Sequence, residues 1–206
     1  MSVSSLSLAD RERAELADAL AAAAPDAPTC CEGWTTAHLA AHLVVRESRP
    51  DALIGYGFES VGIGAPVAAW AHHLEDRLRR STPYSEIVAR FRAGPPTLSV
   101  MALPGGSSLN DAEFAIHHED VRRAQPDVAP RELPREVQDQ VWRASFFLAK
   151  RAARRRGGLV LRRSDVSGVE RRYGAGETVV EGEPMELLLW ASGRREVARV
   201  KVSQAA

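Results

Sequence analysis

Apolar positions in the first 126 residues recur with a helical period, and a strand-like alternation takes over near residue 158. Ser7 with Asp10 forms a capping-box-like start, with Leu6 placed as a staple. Leu8, Leu16, Ala19 and Leu20 then mark an amphipathic helix that runs to about Ala23 and ends before Pro25. Pro25 to Gly33 reads as a loop, and Thr35 as the N-cap of a second helix through Leu43 and Glu47. Pro50, Gly55 and Gly57 close that segment. A third helix opens at Pro66, with Trp70, Leu74 and Leu78 at four-residue spacing. Ser81-Thr82-Pro83 interrupts it, and Ile87, Val88 and Phe91 continue the period to Gly94. The loop Pro104 to Ser108 leads into a fourth helix, from about Leu109 to Ala124. Four principal helices with modest connections suggest a bundle.

Prolines 126, 130 and 134 mark a linker. Beyond it a helix from Arg135 to Arg155 carries Val137, Val141, Phe147 and Leu148 on an apolar stripe, and Gly157-Gly158 stops it. Strands are expected at Leu159–Arg163, Glu170–Tyr173, Thr178–Glu181 and Glu196–Val202, with a short helix Met185–Ala191 before the last. The expected class is therefore α+β, with a helical domain over 1–126 and a small α+β domain over 127–206.

Composition narrows the field. The 206 residues are 45% hydrophobic and 26% charged, a globular balance. Acidic and basic residues number 27 each, which argues against a globally basic nucleic-acid binder. Basic pairs do cluster at Lys150-Arg151, Arg154 to Arg156, Arg162-Arg163 and Arg171-Arg172, but no DNA-reading motif accompanies them. The first ten residues lack a basic and apolar signal pattern, and no apolar run is long enough for a membrane span. A cytoplasmic location, with neither nucleic acid nor membrane as partner, is expected. The only cysteines, Cys30 and Cys31, are adjacent and lack the C-x-x-C spacing, so they read as reduced thiols packing before a helix.

The chemistry concentrates in three residues. Glu113 and His117, spaced i, i+4, share one helix face. His42, on the second predicted helix, adds another imidazole. Two imidazoles and one carboxylate with a coordination position left open is how catalytic zinc sites are built. Taken alone, the E-x-x-x-H pair also suits the solvated face of a surface helix, and a histidine among leucines also suits a satisfied core position. His72 and His73 read as surface residues.

Gly33-Trp34-Thr35 followed by Leu39 and His42-Leu43 resembles the second-helix signature of the mycothiol-dependent maleylpyruvate isomerase family, whose helical domain is a DinB-like metal-binding four-helix bundle. Glu113 to His117, followed by Asp120, resembles its second motif. Cys31-Glu32-Gly33-Trp34-Thr35, Arg46-Glu47-x-Arg49-Pro50 and His117 to Arg123 resemble a shorter actinobacterial branch. Gly182-x-Pro184 and Leu187-Leu188-Leu189-Trp190-x-x-Gly193-Arg194 resemble the family's second domain.

The resemblance implies an N-terminal DinB-like four-helix bundle followed by a small C-terminal α+β domain. It also implies that His42, Glu113 and His117 bind a divalent metal, zinc first and nickel second. His38 then stands beside the ligands, outside the set. The implied activity is that of an isomerase or transferase acting on a small electrophilic substrate, with mycothiol or a similar small thiol as cofactor. Arg46, one turn beyond His42, and Arg194 are the expected anion contacts for cofactor or substrate.

Two other readings compete. A zinc anti-sigma protein would need H-x-x-x-C-x-x-C, which is absent. A non-catalytic metal-binding module would close the coordination sphere with a fourth protein ligand from His38, His118 or Asp120.

Overall fold

The computed structural model describes residues 6–49, 65–96, 110–126, 128–176 and 178–204. The helices are α1 (Leu8–Ala22), α2 (Thr36–Ser48), α3 (Ala65–Ser81), α4 (Tyr84–Ala93), α5 (Asp111–Arg122), α6 (Arg135–Ala144), α7 (Phe146–Arg154) and α8 (Pro184–Ala191). The strands are β1 (Gly158–Arg163), β2 (Glu170–Gly174), β3 (Thr178–Gly182) and β4 (Lys201–Gln204). The chain is α+β, with α1 to α5 in its N-terminal part and the expected third helix divided into α3 and α4 at Pro83. The expectations at Pro50, Gly55, Gly57, Pro104 to Ser108 and Leu109 lie outside the described residues.

Two compact units emerge. Among the described residues, one holds 9–49, 65–96, 110, 117–126 and 128, and the other holds 6–8, 111–116, 129–176 and 178–204. Helix α5 thus begins in one unit and ends in the other.

In the helical unit, Leu16, Leu20, Leu39, Leu43, Ile87 and Phe91 are buried. Truncating a buried leucine of this kind costs ~2–5 kcal/mol. The Arg13 guanidinium ties three helices together, with Nη2 2.5 Å from Glu47 Oε1 and Nη1 donating to the Phe91 carbonyl at 2.9 Å. Helix α3 departs from its sequence pattern at one point. Leu74 is buried and Leu78 packs beside it, but Trp70 is 46% exposed and stacks on His73.

In the second unit the sheet order is β2-β1-β3-β4. The central pair β1–β3 is parallel, with Val160 opposite Val179, and both outer strands are antiparallel to their neighbours. Leu159, Leu161 and Val180 meet Trp142, Leu187 and Trp190 in one core cluster. Gln138 on α6 serves the start of α8 twice. Its Oε1 accepts the Met185 N–H at 3.1 Å, and its Nε2 donates to Glu183 Oε2 at 2.9 Å. Several basic residues of the arginine clusters are used inside this unit. Arg171 lies over the Trp142 ring and donates to the Trp142 carbonyl at 2.6 Å. Arg163 pairs with Asp139 and Asp165 and lies over the same ring, and Arg156 lies over Trp190.

Three expectations are corrected. The helix over 135–155 divides into α6 and α7 at Ser145, whose buried hydroxyl donates back to the Trp142 carbonyl at 2.9 Å and offers that carbonyl a partner outside the helical ladder. Phe147 lies off the apolar stripe and is 79% exposed, because at 3.6 residues per turn it sits about 120° around the helix from Val141, whereas Val137 and Val141 stay buried. The last strand is Lys201–Gln204 rather than Glu196–Val202. Residues 195–197 form a turn, and the Glu186 carboxylate accepts the Arg199 N–H at 2.7 Å in place of a ladder partner.

Candidate metal centre

Helix α2 begins at Thr35, whose N–H donates to His38 Nδ1 at 3.2 Å. One turn later His42 is buried, and its Nδ1 lies 2.8 Å from Glu75 Oε1 on α3. The other oxygen of Glu75 lies 3.0 Å from His72 Nδ1. Trp34 packs against the His42 ring at 5.1 Å between centroids.

Helix α5 is not the solvated surface helix that its polar letters allow. Phe114 to Val121 are buried without a break, so each polar side chain there must be matched. His117 Nδ1 lies 2.9 Å from Asp120 Oδ2. His118 Nδ1 lies 2.8 Å from Glu12 Oε2, and Glu119 takes Arg122 at 3.2 Å and Arg123 at 2.5 Å.

The structure brings His42, Glu113 and His117 together, with one donor atom from each within 4.8 Å of the others. The two imidazole rings stand 5.5 Å apart, close to perpendicular. In both histidines Nδ1 is engaged by a carboxylate, so an ion held by these rings would be met by Nε2. A carboxylate behind a ligating imidazole fixes its tautomer and strengthens it as a donor. The donor set therefore fits a divalent ion with two imidazole nitrogens and a carboxylate oxygen.

The residues considered as a fourth ligand are each committed elsewhere. His38 closes the N-terminus of α2, His118 pairs with Glu12, and Asp120 holds His117. Among the described residues, two further donor groups lie in the helical unit: Glu12 with Glu15 and His118, and Cys31 with His117 and Asp120.

Of the expected anion contacts, Arg46 is buried and donates to Asn110 Oδ1, while Asn110 Nδ2 donates to Glu47 at 2.9 Å. Arg194 is half-buried after α8, with Nη1 donating to the Ser192 carbonyl at 3.2 Å. A cavity of about 100 Å³ lined by Trp34, His38, Ala41, His72, Glu75, Asp76 and Arg79 borders the Glu75 side. At ~30 Å³ per water, that is room for solvent only. Glu75 carried no signal in the sequence: it lies 33 positions from His42, and only tertiary packing brings them together. Cys31 could have been suspected from the Cys-Glu-Gly-Trp string, but nothing in it points to His117.

No family model matches the chain, and no curated protein does. A solved structure does. In fold, the chain is similar to the mycothiol-dependent maleylpyruvate isomerase. The crystal structure of that enzyme aligns over 95% of this chain and 90% of its own, at 20% identity and a TM-score of 0.54. A histidine-to-alanine variant of it aligns over the same shares at 20% identity and a TM-score of 0.55. At this identity the likeness speaks to the fold.

Removing the carboxylates behind the imidazoles tests the arrangement. Glu75→Gln and Asp120→Asn should each weaken divalent-metal binding at His42, Glu113 and His117 ~10- to 100-fold without removing any of those three donors. Competition with a fluorescent chelator measures this, and unchanged affinity in both variants would refute the orienting role.

Burial holds His38 below the ordinary histidine pKa, and the Arg79 charge adds to this, with Asp76 and Glu75 acting in the opposite direction. Its Nδ1 must stay unprotonated to accept from Thr35. The folded chain therefore binds fewer protons at His38 than the unfolded chain does. This contribution to stability is complete above about pH 6.5 and is lost as pH falls from there through the depressed folded value. Urea midpoints between pH 7.5 and 5 should fall less steeply in His38→Gln, because glutamine can still cap. An identical slope in the variant would count against the assignment.

Proposed function

We propose that the chain is a divalent-metal protein in which His42, Glu113 and His117 hold the ion, zinc first and nickel second. It acts as a small-thiol-dependent isomerase or transferase, with mycothiol as the thiol and a small electrophilic molecule as substrate. Residues 1–126 are then the metal-binding domain and 127–206 the second domain. The observation that supports this best is the convergence of two imidazoles, each backed at Nδ1 by its own carboxylate, with the Glu113 carboxylate. The fold likeness to an enzyme described as mycothiol-dependent supports the thiol.

A divalent ion at these residues supplies a Lewis acid that keeps a bound thiol deprotonated. The chain's own groups do the rest. Glu75 and Asp120 keep Nδ1 protonated and Nε2 as the donor in His42 and His117. Neutral imidazoles with one carboxylate leave the loaded site at about +1, which favours a thiolate. Trp34 covers one side of His42 and restricts water there. Arg46, buried one turn beyond His42, and Arg194 are the proposed anion contacts for cofactor or substrate.

Calorimetric titration of mycothiol into metal-loaded and chelator-stripped protein tests the reading. Binding that requires the metal is expected. Equal binding to both forms, or none to either, would overturn the thiol-dependent version and favour a metal module with a closed coordination sphere.

A further inference from the structure

The loop before α2 places a thiol beside the candidate centre. Thr29 organises it: its hydroxyl accepts the Cys31 N–H at 3.2 Å and donates to the Trp34 carbonyl at 2.9 Å. The Trp34 N–H donates to the Cys31 carbonyl at 3.0 Å, closing a tight turn. The Cys30 N–H then donates to the Asp120 carbonyl at 2.9 Å and pins the turn to the end of α5. Cys31 Sγ is left 3.1 Å from Asp120 Oδ2 and 3.9 Å from His117 Nδ1, and those two atoms are 2.9 Å from each other.

We propose that Cys31, His117 and Asp120 form a second, thiolate-bearing site for a thiophilic divalent cation, distinct from the His42–Glu113–His117 centre and sharing His117 with it. Three features carry this. The first is distance. With metal–sulfur bonds of ~2.3 Å and metal–nitrogen and metal–oxygen bonds of ~2.0–2.1 Å, tetrahedral donors stand ~3.3–3.6 Å apart. The three separations bracket that range, and small side-chain shifts would satisfy it.

The second is charge. Two hydrogen bonds occupy the space among the three donors, so an entering cation displaces the thiol proton to solvent or buffer, and the single proton of the neutral His117 imidazole moves from Nδ1 to Nε2 by exchange with solvent. With His117 Nε2 protonated, a thiolate, a carboxylate and a neutral imidazole balance a divalent ion, and a neutral cluster is the least costly form at a buried position. The third is donor softness. Sulfur draws thiophilic ions in preference to the magnesium class, and the first centre has no sulfur donor.

The shared imidazole couples the sites. His117 presents Nε2 to the first centre and Nδ1 to the second, and a cation at Nδ1 removes its hydrogen bond to Asp120. Filling both sites on one chain makes His117 a bridging imidazolate, with its one N–H proton released to solvent or buffer. The proposal does not depend on the first centre being catalytic or filled.

Cobalt(II) titration followed by absorption tests it. The parent protein should develop a thiolate-to-cobalt charge-transfer band. Cys31→Ser should lose the band and one equivalent of bound cobalt, with circular dichroism confirming its fold. His42→Ala should keep the band, which separates this site from the first one. No band in the parent at saturating cobalt, a band that survives in Cys31→Ser, or a band abolished by Cys30→Ser would each overturn the assignment.

Discussion

His42→Ala and His117→Ala should each empty the His42–Glu113–His117 centre of its divalent metal, with losses of affinity there beyond the ~10- to 100-fold expected for the supporting carboxylates. The reason is donor count. Three protein ligands leave no redundancy, and a carboxylate with one imidazole does not hold a zinc-like ion against water. The loss should also be visible as stability. An ion at 100 times its dissociation constant adds ~2.7 kcal/mol to the folded state. For a chain of this length that is a melting shift of ~5–10 °C. A chelator should therefore lower the melting temperature of the parent by that amount and leave His117→Ala, which lacks the imidazole common to both donor groups, unmoved. Elemental analysis of untagged protein supplies the matching readout. A parent without metal even after reconstitution would reduce the three residues to buried polar packing, and metal retained in both variants would place the ion elsewhere.

Gly158→Ala should be among the most damaging single substitutions in the second unit. Gly158 opens β1 at a φ of +155°, and a Cβ there would lie 2.3 Å from the Gly176 nitrogen and 2.9 Å from the Ala175 nitrogen. Both obstacles are backbone, so no rotamer change relieves them. Strain at such a φ and the forced displacement of the turn after β2 add to about 3 kcal/mol or more. Gly168 is the control. Its φ is +75°, but nothing lies within 4 Å of the place a methyl group would take, so Gly168→Ala should cost only ~1–2 kcal/mol of left-handed backbone penalty. Urea denaturation separates the two cases, and equal destabilisation would refute the steric argument.

Much of the helical unit was legible in the sequence because its signals are local. The Thr35 start of α2, the break at Pro83 and the stop at Gly94 are properties of a few consecutive residues. The i, i+4 relation of Glu113 and His117 is equally local, as is the parsing of β1, β2 and β3. The errors fall where a distant or side-chain partner outweighs local periodicity. The Ser145 hydroxyl turns back on the Trp142 carbonyl where α6 gives way to α7, and Glu186 intercepts the Arg199 amide before β4 can begin.

The candidate centre divides along the same line. Residue type and helical spacing named His42, Glu113 and His117, since ligand chemistry and one-turn proximity are written in the chain itself. Only the tertiary structure decided that Glu75 stands behind His42, that α5 is buried along Phe114 to Val121, and that Cys31 meets His117 and Asp120. Those contacts join positions 33 to 89 residues apart, where no periodicity operates and packing alone selects the partner.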